Sequence, residues 1–261
     1  MNITDTHVHS ALSFDSVEPM ENYVKKAAEA GDKYFITTEH VDLESHVLDG
    51  GDIVRDFEKQ AEEIKHLNEK YPVKVLFGAE IGWRRDIHPR CAEIAEKYPF
   101  DMIILSLHET EYADVSYPDY RRGRTVDQCY DENLGLICDA ITNFDNFDTF
   151  AHIDYLLRYI GDTDLYRHRE KLNRVFALLM EKNKALEINT KIFPRQESVR
   201  RAEDIIKMYT EAGGRKFTLG SDSHTADRHR NGFDVVVKLL KKYGINKISM
   251  FIGRKEYLMD I

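Results

Sequence analysis

Short apolar runs alternate along the chain with longer segments of helical spacing. Runs of the first kind are Ile3 to Val8, Tyr34 to Thr38, Val73 to Ala79, Met102 to Leu107, Thr149 to Ala151, Ala185 to Ile188 and Phe217 to Leu219, each the length of a buried strand. Ile248 to Ile252 would make an eighth. Between them apolar residues recur three and four apart over Met20 to Ala30, Ile53 to Glu69, Cys91 to Lys97, Gln128 to Thr142, Tyr166 to Lys182, Ala202 to Ala212 and Phe233 to Tyr243, which predicts helices. Strand alternating with helix implies parallel pairing. Seven or eight such units in 261 residues predict an α/β fold, a distorted (β/α) barrel of the TIM type, with an open doubly wound sheet as the alternative. No repeat, low-complexity tract or Pro/Gly/Ser-rich linker divides the chain, so residues 1–261 are expected to form a single domain. Glu109 to Arg124 breaks the rhythm, being polar, aromatic and charged without a period. It reads as a long loop over the barrel mouth or as a plain surface excursion.

Metal-binding residue types sit where these strands end. His7 and His9 close the first, His40 the second, Glu80 the third, His108 the fourth, His152 the fifth, and Asp222 with His224 the seventh. All lie at carboxyl ends, where a (β/α) barrel assembles its active site. In His7-Val8-His9 the imidazoles are two residues apart, so in extended chain they project to one side and can grip one ion while Val8 faces the other way. The same holds for Asp222 and His224 in Gly220-Ser221-Asp222-Ser223-His224. Glu80 can bridge two ions, and His with Asp or Glu but no Cys suits Mn, Fe or Zn at an open catalytic site. One His at a strand end is usually a hydrogen-bonded polar residue. Recurrence from parts of the chain more than two hundred positions apart points instead to a single centre. His46, His66, His168 and His229 fall in helical or loop contexts and are expected at the surface. His88, before Pro89, is expected at a helix start.

The net charge of −9 disfavours nonspecific nucleic-acid binding, so a phosphate ligand would have to be held by local cations, meaning metals or a few arginines. With 42% hydrophobic and 32% charged residues and no run approaching ~18 apolar positions, the chain reads as a packed soluble domain that does not enter a membrane. Cys91, Cys129 and Cys138 are odd in number with no CxxC pair, and the start MNITDTHVHS lacks the form of a signal peptide. Reduced cysteines and a cytoplasmic location are expected.

Six stretches together resemble the motifs of the polymerase and histidinol phosphatase (PHP) superfamily over essentially the whole chain. They are Asp5-Thr6-His7-Val8-His9, Thr38-Glu39-His40, Gly78-Ala79-Glu80, Ser106-Leu107-His108, Ala151-His152-Ile153-Asp154 and Gly220-Ser221-Asp222-Ser223-His224. The resemblance implies a centre of three divalent ions. His7, His9, Glu80 and Asp222 would hold the first, Glu80, His108 and His152 the second, and Asp15, His40 and His224 the third. Many relatives carry His where this chain has Asp15, whose other reading is a helix cap. The openings DTHVHSALSFDS and FITTEHVD are most similar to histidinol phosphatases of histidine biosynthesis, which implies L-histidinol phosphate as the small-molecule substrate. Monomer and homodimer stay open.

Phosphomonoesters hydrolyse extremely slowly in water. Clustered metals would supply a bridging hydroxide to attack phosphorus, since coordination brings the pKa of water from ~15.7 towards ~7, and would bind the nonbridging oxygens. Arg158 and Arg195, after the fifth and sixth strands, are candidate phosphate clamps, because a planar guanidinium takes two oxygens at once. The alternatives are a surface ion pair for Arg158 and a cation near a helix start for Arg195. The leaving group needs a proton donor, and Asp222, Asp154 or a metal-bound water would serve. Glu109, Glu111, Asp114, Tyr117 and Asp119 could read a cationic amine and an imidazole, or form a solvated loop. Competing functions are a phosphoesterase of the same superfamily acting on nucleotides or sugar phosphates, a noncatalytic metal-stabilised module serving a polymerase, and amide or ester hydrolysis. The full ligand set and acidic balance weigh against the module, and a third metal site against amide hydrolysis.

Overall fold

A computed structural model describes residues 3–54 and 56–261. In chain order the described elements are α1 (Met20–Glu29), β1 (Tyr34–Ser45), β2 (Gly51–Val54), α2 (Phe57–Lys70), β3 (Lys74–Gly82), α3 (His88–Lys97), β4 (Met102–Ser106), α4 (Pro118–Arg121) and α5 (Val126–Asn143). They continue with β5 (Thr149–Phe150), α6 (Leu157–Ile160), α7 (Arg169–Glu181), β6 (Ala185–Asn189), α8 (Gln196–Glu211), β7 (Phe217–Gly220), α9 (Phe233–Lys242), β8 (Lys247–Ile252) and β9 (Lys255–Asp260).

Apolar strands buried on both faces pair in parallel when helices cover them. Here the sheet runs β2-β1-β3-β4-β5-β6-β7, parallel throughout except that β2 folds back antiparallel on β1. Extended residues 3–9 lie between its two ends. Thr6 N–H donates to Leu219 O at 3.0 Å and Asp222 N–H to His7 O at 2.8 Å on one side, while Thr38 N–H donates to Val8 O at 2.9 Å on the other. This segment is the first predicted strand, and it closes the sheet into a barrel of seven parallel staves among the described residues, which excludes the open sheet. Closure through an irregular segment with a single bridge, Val8 to Ser223, is what distorts the barrel.

The other mouth is plugged. Met250 and Phe251 of β8 cluster with Ile36, Leu76, Met102, Ile104 and Ala185, and the turn after β8 is pinned by Gly253 N–H on Asp101 Oδ1 at 2.8 Å and by Arg254 Nε on Asp148 Oδ2 at 2.6 Å. Asp101 and Asp148 immediately precede β4 and β5, so the plug covers the amino ends of the strands. Helices pack outside over Phe35, Phe77, Leu105 and Phe150. Their starts follow local chemistry: Asp56 caps α2 by accepting from the amides of Glu58 and Lys59, and Thr125 with Gln128 forms a capping box on α5. Among the described residues no helix is long and apolar enough to cross a membrane.

Three expectations change. Ile248 to Ile252 is a strand, but it pairs antiparallel with β9 and makes no eighth stave. Ile53 and Val54 belong to β2, opposite Asp42 and Val41, and the helix starts only at Phe57; Arg55, inside that predicted helix, lies outside the described residues. Glu109 to Arg124 holds some order, with a Glu109 to Asp114 bridge, the short α4, and buried Val115 and Tyr120.

Gly78 marks a close approach of β3 to the backbone of β1. A Cβ there would lie 2.8 Å from both Thr37 O and Thr38 Cγ2. Gly78→Ala is therefore expected to cost about 1–3 kcal/mol through overpacking, seen as a lower denaturant midpoint at unchanged slope. An unchanged midpoint would show that the two strands separate at little cost.

Candidate metal centre

Strand register brings the carboxyl ends level, and it sets His40 of β1 beside Glu80 of β3. Glu80 is the hub. Its Oε1 lies 2.8 Å from His152 Nε2 and 3.2 Å from His108 Nε2, and its Oε2 lies 3.1 Å from His40 Nδ1, 3.2 Å from His7 Nε2 and 3.4 Å from His9 Nε2. Asp222 Oδ1 is 3.5 Å from His9 Nε2, and Asp15 Oδ2 is 2.7 Å from His224 Nε2 and 3.6 Å from His40 Nε2. All nine residues expected around the metals thus converge, and Val8 points away into the core as the alternation requires. Their donor atoms fall into overlapping triads: His7, His9 and Glu80; His40, Glu80 and His108; His7, His152 and Asp222; His9, His40 and His224.

The donor set fits divalent cations. Glu80 Oε2 is fully buried and accepts no hydrogen bond, although three imidazole nitrogens stand within 3.4 Å. His40 Nδ1 is likewise without a hydrogen-bond partner. His7 Nδ1–H donates to Glu187 Oε2 at 2.7 Å, which turns Nε2 towards His9 Nε2 at 3.0 Å, where the neutral, metal-binding form of the ring presents its lone pair. Lone pairs converging in a buried space with too few protons between them are unfavourable until a cation joins them.

The electrostatics agree. Burial opposes ionisation of Glu80, yet the charges on His7, His108 and His40 hold it well below the carboxylate range. Asp222, also buried, is held well below by Lys191, His7 and Arg158, and Asp15 is lowered by His224 and His40. Burial and the like charges of His40, His224 and His7 depress His9. His40 moves the other way, up to about 9, because Glu80 and Asp15 outweigh its burial. Asp222 also has backbone φ of 48°, in the left-handed region, a local strain of the kind found at functional positions.

The candidate clamps separate. Arg158 is buried, with Nη1 3.2 Å from Asp222 Oδ2, Nη2 2.7 Å from Asn189 Oδ1, and Nε without a partner, so the surface-pair alternative fails. Arg195 sits exposed at the N-cap of α8, outside the cleft, and its guanidinium has no partner. Asp154 is held by Arg201 Nε of α8 at 3.0 Å and does not line the cleft. In the mouth segment Asp114 lines the cleft with Phe14, Tyr155 and Tyr159. Glu109 is tied down by Arg84, Ser45 and the His46 amide, while Glu111, Tyr117 and Asp119 stay outside.

Two expected surface histidines are interior. His168 is buried against Tyr130, with Nε2 3.3 Å from Asp127 Oδ1, and the His229 side chain packs on Tyr23 and Phe35 with Nδ1 3.2 Å from Asp5 Oδ2. His46 is half-buried on Thr110 O, His66 is exposed, and His88 opens α3 as expected.

Sequence reasoning missed the residues behind the histidines. Asp42 Oδ1 accepts His108 Nδ1–H at 2.9 Å, in room left by Gly82, where a Cβ would stand 1.8 Å from that oxygen. Glu39 accepts from Ser10 and Ser13 hydroxyls at 2.6 Å each, and Ser13 Oγ accepts His9 Nδ1–H at 3.2 Å. Glu187, Asn189 and Lys191 line the end of β6, with Lys191 Nζ 2.9 Å from Asp222 Oδ1. The available signal was their two-residue spacing at strand ends.

This geometry has counterparts among known proteins. Over 262 aligned residues the chain is 30% identical to a histidinol-phosphatase of Lactococcus lactis subsp. lactis (strain IL1403), covering 98% of this chain and 96% of that one. A crystal structure of histidinol phosphate phosphatase from Lactococcus lactis subsp. lactis Il1403, complexed with zinc, L-histidinol and phosphate, superposes with a TM-score of 0.91 at 30% identity, over 98% of this chain and 99% of that chain. A solved structure from Listeria monocytogenes shares the fold at 18% identity, with a TM-score of 0.75 over 88% of this chain and 98% of that one. The PHP domain model matches residues 5–191, a span that runs from Asp5 before the first histidine pair to Lys191 beside Asp222. By that match, and by its identity to the Lactococcus protein along almost its whole length, the chain belongs to the PHP domain family.

Proposed function

We propose that the chain is a metal-dependent phosphomonoesterase that hydrolyses L-histidinol phosphate to L-histidinol and inorganic phosphate, a reaction of histidine biosynthesis. The observation that carries this reading is the buried Glu80 carboxylate, which has five imidazoles around it and an oxygen without a hydrogen bond. Full-length similarity to a phosphatase solved with zinc, L-histidinol and phosphate supports the substrate. The whole of residues 1–261 serves as one phosphatase domain in the cytoplasm.

In this proposal His7, His9, Glu80 and Asp222 hold one divalent ion, Glu80, His108 and His152 a second, and Asp15, His40 and His224 a third, with Zn, Mn or Fe as occupants. Bound there, such ions lower the pKa of water to make a nucleophile and neutralise charge on the phosphoryl oxygens. The chain's own groups do the rest. Arg158, its side chain buried beside Asp222 with Nε unpartnered, would offer a donor to a phosphoryl oxygen, and Arg195, which lies exposed outside the cleft, would act as a second clamp only by swinging its side chain over the mouth. Lys191 adds positive charge beside Asp222, which stays ionised as a ligand must. Asp114, whose carboxylate accepts only from the Ser116 amide at 2.6 Å, faces the cationic amine of the organic half, and Tyr155 and Tyr159 give its ring an aromatic wall.

Inorganic phosphate release should be fastest from L-histidinol phosphate in a panel with nucleotide and sugar phosphates, and should vanish after chelation. Equal rates across the panel would keep the phosphatase and discard this substrate. His7→Ala and Glu80→Ala should each abolish turnover and lose metal; wild-type rates at full metal content would sink the assigned centre. Metal loading should also depend on pH. Without metal His40 holds its proton up to about pH 9, and an imidazolium cannot coordinate, so metal affinity should climb as pH rises from about 6 towards 9. Competitive zinc titration checks this, and a flat profile would contradict it.

A further inference from the structure

Six of the seven staves send a candidate ligand into the centre, directly or from the loop that follows; β6 sends none, yet its end is the most polar part of its length. Glu187 and Asn189 alternate onto the same face, as residues two apart on a strand must. Glu187 is only 1% exposed, and a carboxylate so deeply buried is tolerable only when its lone pairs are used. They are used. Oε2 accepts His7 Nδ1–H at 2.7 Å, and Oε1 accepts the His152 amide at 3.3 Å and Asn189 Nδ2 at 2.8 Å.

We propose that β6 is the positioning strand of the centre: Glu187 fixes the His7 ring with its Nε2 towards the metals, and through Asn189 it sets the direction of the Arg158 guanidinium. This rests on the metal-centre reading above. The first half follows from tautomer chemistry. With the proton kept on Nδ1 by Glu187, the lone pair must sit on Nε2, the atom 3.2 Å from Glu80 Oε2. The backbone is built around this contact. A Cβ on Gly220 of β7 would lie 2.5 Å from Glu187 Oε2 and 2.5 Å from His7 Cβ, so only glycine leaves room for the pair.

The second half follows from donor and acceptor counting. An amide has one oxygen and one NH2 group. Because Asn189 spends its NH2 on Glu187, its Oδ1 is turned to Arg158 Nη2 at 2.7 Å. Arg158 Nη1 is meanwhile held on Asp222 Oδ2 at 3.2 Å. Two fixed points orient a planar guanidinium. One acid therefore sets both a metal ligand and a phosphate-facing cation, and Glu187 and Asn189 are positioning residues, not ligands.

The test uses Glu187→Gln and Asn189→Ala in the full chain, with zinc affinity measured by chelator competition without substrate. Glu187→Gln keeps the volume and should weaken zinc binding by about 10–100-fold, the usual effect of losing a carboxylate behind a ligating histidine. Its metal-stripped form should still fold and melt cooperatively, with a modestly lower midpoint because the Gln NH2 must face one of the donors that Glu187 accepts. Asn189→Ala should leave zinc affinity within about threefold of wild type and raise KM for the phosphate ester more than it lowers kcat. Wild-type zinc affinity in Glu187→Gln would overturn the inference while leaving the metal centre intact. A metal-stripped Glu187→Gln that no longer folds cooperatively would reassign the residue to holding the core together, and an unchanged KM for Asn189→Ala would remove the relay to Arg158. A wild-type chain that binds no zinc would overturn the centre itself, and this inference with it.

Discussion

A carboxylate out of reach of water is stable only if its charge is answered nearby, and in this chain that constraint falls on Glu80. Five imidazoles from four separate segments supply the answer. Each of those imidazoles is itself buried and needs an acceptor on its far side. The requirement therefore propagates outward: Glu187 stands behind His7, Ser13 with Glu39 behind His9, and Asp42 behind His108. The centre is a nest of alternating acids and imidazoles, and the close packing at Gly82 and Gly220 follows from fitting those outer acids between strands.

The barrel delivers this arrangement because parallel strands end on one side. Its distortion matters as much as its regularity. Residues 3–9 carry two of the imidazoles and also close the wall between β7 and β1, so closing the barrel and completing the cluster are one structural event. At the far mouth the β8–β9 hairpin fills the interior with apolar side chains, separating the part of the fold that holds shape from the part that holds charge.

Much of this was legible in the chain. Buried parallel strands are uninterrupted apolar runs, and a polar residue that ends one is visible by position alone, so His7, His9, His40, Glu80, His108, His152, Asp222 and His224 could be placed before any coordinates. What stayed hidden depends on direction in space. Arg158 and Arg195 follow their strands at similar distances, but one turns inward onto Asp222 and the other ends in solvent at the start of α8. Asp154 looked as available as Asp222 until Arg201 was found on it. Glu39, Asp42 and Glu187 read as ordinary strand residues, because two-residue spacing at a strand end does not by itself tell an acid that orients a ligand from any other polar residue. Ile248 to Ile252 has the composition of a stave, and only the partner strand β9 decides its fate.

The position of the first stave has a further consequence. His7 and His9 stand near one end of the chain and Asp222 and His224 near the other, so any ion they share joins points more than two hundred residues apart. Such an ion acts on the unfolded chain as a staple does, by closing a very long loop, and a permanent link of that span would stabilise by about 5 kcal/mol in the chain-entropy view. Chemistry and architecture then share one fastener, and the same cations that would cleave a phosphate ester would also keep the barrel from opening along its irregular seam.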